Sequence, residues 1–192
     1  RDFAFVCSSR FQVWEAPAGS TKARVVAFPE DKENAERVLR FAREVIPLYE
    51  SWFGPYFDEE FEVAASYFGW NGNECAGLVL LDERVFRLPA AGERYIDHLV
   101  THETLHQWFW NVVGTDGYAE PFMDEGIVNS LTAMRLDAKY GRNAPLIVWP
   151  YGLNWLPTIG REDLRLSGYY NWRAKGNGGP VIQDLKAMGN LN

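Results

Sequence analysis

The sequence predicts an α+β fold, with a strand-rich N-terminal lobe followed by a helical lobe. Three observations carry this expectation. The first third holds short β-rich segments bounded by turn residues. Residues 93–113 then carry one apolar stripe at the helical period. A second helix-like segment follows closely and ends at a glycine. The chain has 192 residues, a length that fits one domain with a real core, so residues 1–192 are expected to form a single domain.

Phe3-Ala4-Phe5-Val6-Cys7 and Ala23-Arg24-Val25-Val26-Ala27-Phe28 read as the first strands. Pro29, Glu30 and Asp31 open a helix in which Val38, Leu39, Ala42, Val45, Ile46 and Tyr49 recur at helical spacing. Pro47 falls inside that pattern and predicts a kink or an early end, and Gly54-Pro55 stops the helix. Residues 61–65 and 77–81 are two more strands, around a loop containing Gly69, Asn71, Gly72 and Asn73. A helix is expected from Glu93 to Val113, with Tyr95, Ile96, Leu99, His102, His106, Phe109, Trp110 and Val113 on its inward stripe. Gly114-Thr115-Asp116-Gly117 turns the chain into another helix, from Met123 to Tyr140, with Gly141 as its stop. Pro145, Pro150, Gly152, Pro157 and Gly160 then break the pattern repeatedly, and a last helical stretch is expected from Tyr170 or Ala174 to Met188.

Composition excludes some functions. The formal charge of −7 argues against nucleic acid or an anionic membrane surface as a partner. No apolar run reaches the roughly 20 residues that span a bilayer. No signal-peptide pattern is present. The chain begins at Arg1 without Met and ends at Asn192 next to helix-like sequence, so it is expected to be cut from a longer protein whose compartment stays unknown. Cys7 and Cys75 match no metal-ligand spacing and read as buried or free thiols, with one disulfide as the alternative.

The chemistry lies in His102-Glu103-Thr104-Leu105-His106. Residues four apart on a helix lie on one face, so both imidazoles can reach one metal ion. Glu103, beside the first ligand, can accept a proton from water activated there. Eighteen residues separate His106 from Glu125. Two His and one Glu are a known zinc set that leaves a position open for water. Two antiparallel helices joined by a short turn bring Glu125 back over the histidine face. His98 lies one turn before His102, but a third histidine on one helix does not easily join the same ion, so it reads as packed or surface. Asn129 reads either as a partner for the outer nitrogen of a ligand histidine or as an exposed helix amide, and Asp124 and Asp116 are candidates for the same supporting role. Trp108 and Trp110 read as core aromatics.

With that glutamate spacing, the motif resembles the gluzincin metallopeptidases of the membrane alanyl aminopeptidase and leukotriene hydrolase family. Met123-Asp124-Glu125-Gly126 is similar to the family's Trp-Leu-Asn-Glu-Gly block. Residues 73–79 resemble the Met-Glu-Tyr-Pro-Gly-Leu-Val form of its exopeptidase signature, and Arg1-Asp2-Phe3-Ala4-Phe5 resembles the entry from the family's N-terminal β-domain. The resemblance implies a thermolysin-like zincin catalytic domain, with zinc held by His102, His106 and Glu125 between the two lobes. It implies Glu103 as general base and Glu74 as the carboxylate that holds a substrate's free α-amine. The partners implied are a peptide substrate and the parent chain's other domains. Two departures stand out. Asn71 and Asn73 replace the signature's Gly and Met, and the family's Tyr-x-Lys-Gly block reads Arg173-Ala174-Lys175-Gly176. The oxyanion-stabilising tyrosine is therefore absent from its usual position; Tyr170, one helical turn earlier, is the candidate replacement, with Tyr169 and Arg173 as alternatives. The resemblance implies zinc-dependent peptide-bond hydrolysis from the N-terminus. Its alternatives are an endopeptidase, an epoxide or other small-molecule hydrolase with the same site, or a zinc-bearing peptide-binding module with little turnover.

Overall fold

The computed structural model describes residues 3–69, 71–117, 119–120, 122–176 and 178. Strands β1 (Gln12–Ala18) and β2 (Thr21–Ala27) form an antiparallel hairpin, with Gln12 opposite Ala27 and Ala18 opposite Thr21. Its tight turn puts Gly19 at φ 61°, a left-handed conformation that glycine adopts without steric cost. From β2 the chain crosses through α1 (Lys32–Phe53) to β3 (Glu60–Ser66), which pairs parallel to β2. Strand β5 (Leu78–Asp82) adds parallel to β3, and β4 (Gly72–Cys75) pairs antiparallel with β5. The mixed sheet has the order β1-β2-β3-β5-β4, which leaves β4 at one edge.

Burial explains why these segments pair. In β2, Ala23, Val25 and Ala27 are buried while Lys22, Arg24 and Val26 face partly outward, a period-two pattern. The buried side chains of α1, including Val38, Phe41, Val45, Ile46 and Tyr49, pack against β1 and β2. A single turn, α2 (Glu83–Phe86), leads toward α3 (Glu93–Leu105), which packs on α1, β4 and α4 (Phe122–Tyr140). The last described helix is α5 (Arg161–Ala174). Among the described residues no helix is long and apolar enough to cross a membrane.

A buried ionic network fixes the helices against one another. Asp97 on α3 is fully buried. Its Oδ1 accepts from Arg135 Nη1 at 2.7 Å, and its Oδ2 accepts from Lys139 Nζ at 2.9 Å and Tyr140 Oη at 2.6 Å. Arg135 also donates to Thr101 Oγ1 at 2.8 Å and to Glu44 of α1 at 3.2 Å. Breaking a buried pair strands a charge, so Arg135→Ala is expected to lower the unfolding free energy by about 3 kcal/mol, the low end of the usual range because Lys139 still faces Asp97. Chemical denaturation checks this, and a loss under about 1 kcal/mol would show that water or Lys139 compensates fully.

The structure departs from the expected elements at several points. Residues 3–7 are not a strand: Phe3 and Phe5 are exposed, and among the described residues no strand pairs with their backbone. The edge strand is β1 instead, whose Pro17 disguised it; an edge tolerates a missing donor. Of the kink or early end expected at Pro47, the early end does not occur: α1 runs through to Phe53, because burial of Val45, Ile46 and Tyr49 on both sides of the proline outweighs one lost hydrogen bond. The stretch read as loop holds β4, a poor β-former by composition that β5 recruits by pairing. Helix α5 begins at Arg161, ahead of the expected last helix, with Asp163 accepting from Gly160 N–H at 2.9 Å; residues 177 and 179–188 of the expected stretch lie outside the described residues. By contrast, α4 takes the expected place, and Gly141 ends it at φ 93°.

Candidate active site

The helix carrying the histidines is shorter than the stripe predicts. It ends at Leu105, and residues 106–113 fold into tight turns instead of continuing to Val113. Asn111 N–H bonds back to the His106 carbonyl at 3.2 Å, and Val113 N–H to the Trp108 carbonyl at 2.8 Å. Trp110 sits at φ 123°, a strained conformation for a side-chain-bearing residue. This early end has a chemical consequence. It swings the Phe109 carbonyl under His106, 3.2 Å from Nδ1. That carbonyl can only accept, so Nδ1 carries the proton and Nε2 is left with a free lone pair.

His102 Nε2 faces the same point. The two Nε2 atoms lie 3.3 Å apart, with ring centroids at 4.9 Å. Glu125, in the first turn of α4, brings Oε2 to 3.5 Å from His102 Nε2 and Oε1 to 3.6 Å from His106 Nε2. Ligand atoms about 2.0–2.1 Å from a tetrahedral zinc ion stand about 3.3–3.4 Å from one another. The donor set and its spacing therefore fit the metal expected from the sequence. Burial, and then the neighbouring His102, push the His106 imidazole down to about 4, which keeps it neutral as a ligand must be.

Supporting contacts aim Glu125. Asn129 Nδ2 donates to Glu125 Oε2 at 3.1 Å. Asn129 thus bonds to Glu125, and is neither bonded to the outer nitrogen of a histidine nor left as a lone helix amide, the two readings the sequence offered. The buried Asp124 carboxylate accepts from Thr115 Oγ1 at 2.8 Å and from Glu125 N–H at 2.7 Å, tying the start of α4 to the preceding turn. Asp116 instead accepts from Ala119 N–H at 3.0 Å. His98 is half-buried between the Tyr95 and His102 rings, at 6.3 and 6.2 Å between centroids. Trp108 is buried, with Nε1 donating to the Gly54 carbonyl at 3.1 Å.

The Glu103 carboxylate lies against the edge strand β4. The residue is 6% exposed. Carboxylate oxygens of Glu103 and Glu74 and a nitrogen of His106 all lie within 4.8 Å of one another. A Cβ on Gly72 of β4 would collide with the Glu103 carboxylate, so only glycine allows the strand this close. Burial first, then the charges of Glu74 and Glu125, hold the Glu103 carboxyl well above the usual carboxylate range. Burial raises Glu74 too, with Glu125 adding to it. Glu74 belongs to β4, not to a loop, and so stands on a paired element beside the histidine helix.

Tyr170 is not brought into this group. It is 62% exposed on α5, its ring 5.6 Å from that of Tyr169, and no hydrogen bond from its hydroxyl is recorded among the described residues. Arg173 is exposed as well. The Phe109 carbonyl and Gly72 escaped the sequence reading. The one available signal for Gly72 was a glycine within the stretch of residues 71–79.

No known family profile matches the chain. Its relatives are distant. Glutamyl aminopeptidase of Mus musculus is 28% identical over 131 residues, which are 62% of this chain and 14% of that protein. The Homo sapiens glutamyl aminopeptidase is 26% identical over 111 residues, 53% of this chain and 11% of that protein. Endoplasmic reticulum aminopeptidase 2 of Homo sapiens is 21% identical over 130 residues, 64% of this chain and 14% of the relative. The chain is thus distantly related to aminopeptidases, and the match spans about a seventh of their length or less.

Proposed function

We propose that this chain is the catalytic domain of a zinc-dependent aminopeptidase with a thermolysin-like zincin architecture, and that its substrate is a peptide with a free N-terminus. The observation that carries the reading is the convergence of His102 Nε2, His106 Nε2 and the Glu125 carboxylate at 3.3–3.6 Å, with the buried Glu103 and half-buried Glu74 carboxylates alongside. The distant kinship with aminopeptidases supports peptide hydrolysis.

His102, His106 and Glu125 hold the ion in this proposal. Bound zinc supplies a Lewis acid that acidifies water and polarises a carbonyl. Everything else is done by the chain. The Glu103 carboxylate accepts a proton from the attacking water, and its raised basicity suits it to keep that proton until the leaving nitrogen takes it. Glu74 pairs with the substrate ammonium and fixes where the chain begins, which sets the first peptide bond before Glu103. The proposal assigns no step to Tyr170, which faces solvent.

The test uses aminoacyl reporters with free and acetylated N-termini. Free substrates are expected to be preferred. Glu74→Ala should raise their KM about tenfold or more, the worth of a charge-assisted hydrogen bond, and barely affect the acetylated ones. Equal cleavage of both forms would replace this reading with an endopeptidase. Zinc binding without any cleavage would replace it with a peptide-binding module.

A further inference from the structure

Gln107 follows His106 and is fully buried. Its Oε1 accepts from Gly77 N–H at 2.9 Å, from Asn111 Nδ2 at 3.2 Å and from Tyr56 Oη at 3.4 Å. Its Nε2 donates to the Cys75 carbonyl at 3.0 Å. The orientation of the amide is unambiguous, because a backbone N–H requires the oxygen and a backbone carbonyl requires the nitrogen.

Cys75 ends β4, Leu78 begins β5, and Gly77 turns between them at φ 74°. The Gln107 amide therefore stands in for a backbone partner at the tip of the β4–β5 hairpin. Glu74 is the residue immediately before Cys75. At the far end of β4, Gly72 lies against the Glu103 carboxylate. The segment that follows the histidine helix thus grips one end of β4 while the helix itself touches the other, and Glu74 hangs between the two.

We propose that Gln107 is a positioning residue for Glu74: it clamps the hairpin tip onto the turn after α3 and so sets the gap between Glu74 and Glu103 in which a substrate ammonium is received. This rests on the reading of Glu74 as the amine site. The clamp acts on substrate placement. It leaves the metal atoms alone, because the Gln107 side chain bonds to Cys75, Gly77, Asn111 and Tyr56 and to none of His102, His106 or Glu125.

The test is Gln107→Ala in the full-length protein, read four ways. Hydrogen exchange at the Gly77 amide should quicken about tenfold, since the bond that protects it is gone. Bound metal should stay at the parent level. KM for free aminoacyl substrates should rise about tenfold with kcat within about twofold, because a displaced anchor weakens capture more than chemistry. Acetylated substrates should be unaffected. If the alanine variant does not fold, Gln107→Met keeps the volume and carries the same test. Unchanged exchange at Gly77 overturns the clamp, and so does an equal loss on free and acetylated substrates. Exchange needs no substrate, so failure of the amine reading, seen as an unchanged KM in Glu74→Ala, is told apart from failure of the clamp.

Discussion

Glu103→Gln is expected to keep its zinc and to lose at least about a hundredfold of its hydrolysis rate. The amide has the shape of the carboxylate and fits the same space beside Gly72. It lacks the basic oxygen. Glu103 is not among His102, His106 and Glu125, so metal content should equal that of the parent. Burial and the neighbouring Glu74 and Glu125 carboxylates hold the Glu103 carboxyl well above the usual carboxylate range, which suits it to accept a proton. The substitution also removes one charge from a crowded acidic cluster, so the folded protein should be no less stable. Rate, metal content and denaturation midpoint together check the expectation. A variant that still turns over at the parent rate would mean that another group takes the proton.

His106→Ala should reduce bound zinc from one per chain to nearly none. The substitution removes one of three donors, and a two-donor remnant of His102 and Glu125 is far below what holds zinc against dilution. His106 is also fully buried, so the alanine leaves a cavity and an unpaired Phe109 carbonyl, which adds a stability loss of about 1–3 kcal/mol. A fold control is therefore needed, and the far-ultraviolet circular dichroism of the variant should match the parent at low temperature. Elemental analysis of folded protein then decides. Full zinc retention would remove the site as drawn. Added zinc should raise the midpoint of thermal unfolding in the parent and leave it unchanged in the variant.

Part of this site was legible in the sequence because it depends on short-range periodicity. His102 and His106 lie four apart, and any helix places such a pair on one face whatever surrounds it. The place of α4 could be read from the Gly114–Gly117 turn before it and from Gly141 as its stop, and with it the place of Glu125 in the first turn. These features are properties of the local backbone. The inward direction of the histidines followed from the apolar stripe, because burying such a stripe determines which way a helix rolls.

Other features are not fixed by residue spacing along one helix. The early end of α3 is set by the turns that bond Asn111 and Val113 back to His106 and Trp108, and it alone places the Phe109 carbonyl under His106. Strand β4 has little β-propensity of its own; its ladder to β5 makes it a strand, and a missing Cβ at Gly72 lets it approach Glu103. Gln107 reads as an ordinary polar residue until Cys75 and Gly77 arrive beside it. The same holds for Asp97, whose burial is tolerated because Arg135 and Lys139 come from another helix. Tyr170 is the converse case: one helical turn from the expected position in sequence, it is left by α5 in solvent. Residue spacing along one helix is dictated by backbone geometry and needs no neighbours. The partner of a buried carbonyl, an edge strand or a lone charge is chosen when distant segments compete for the same space, and that choice exists only in the folded chain.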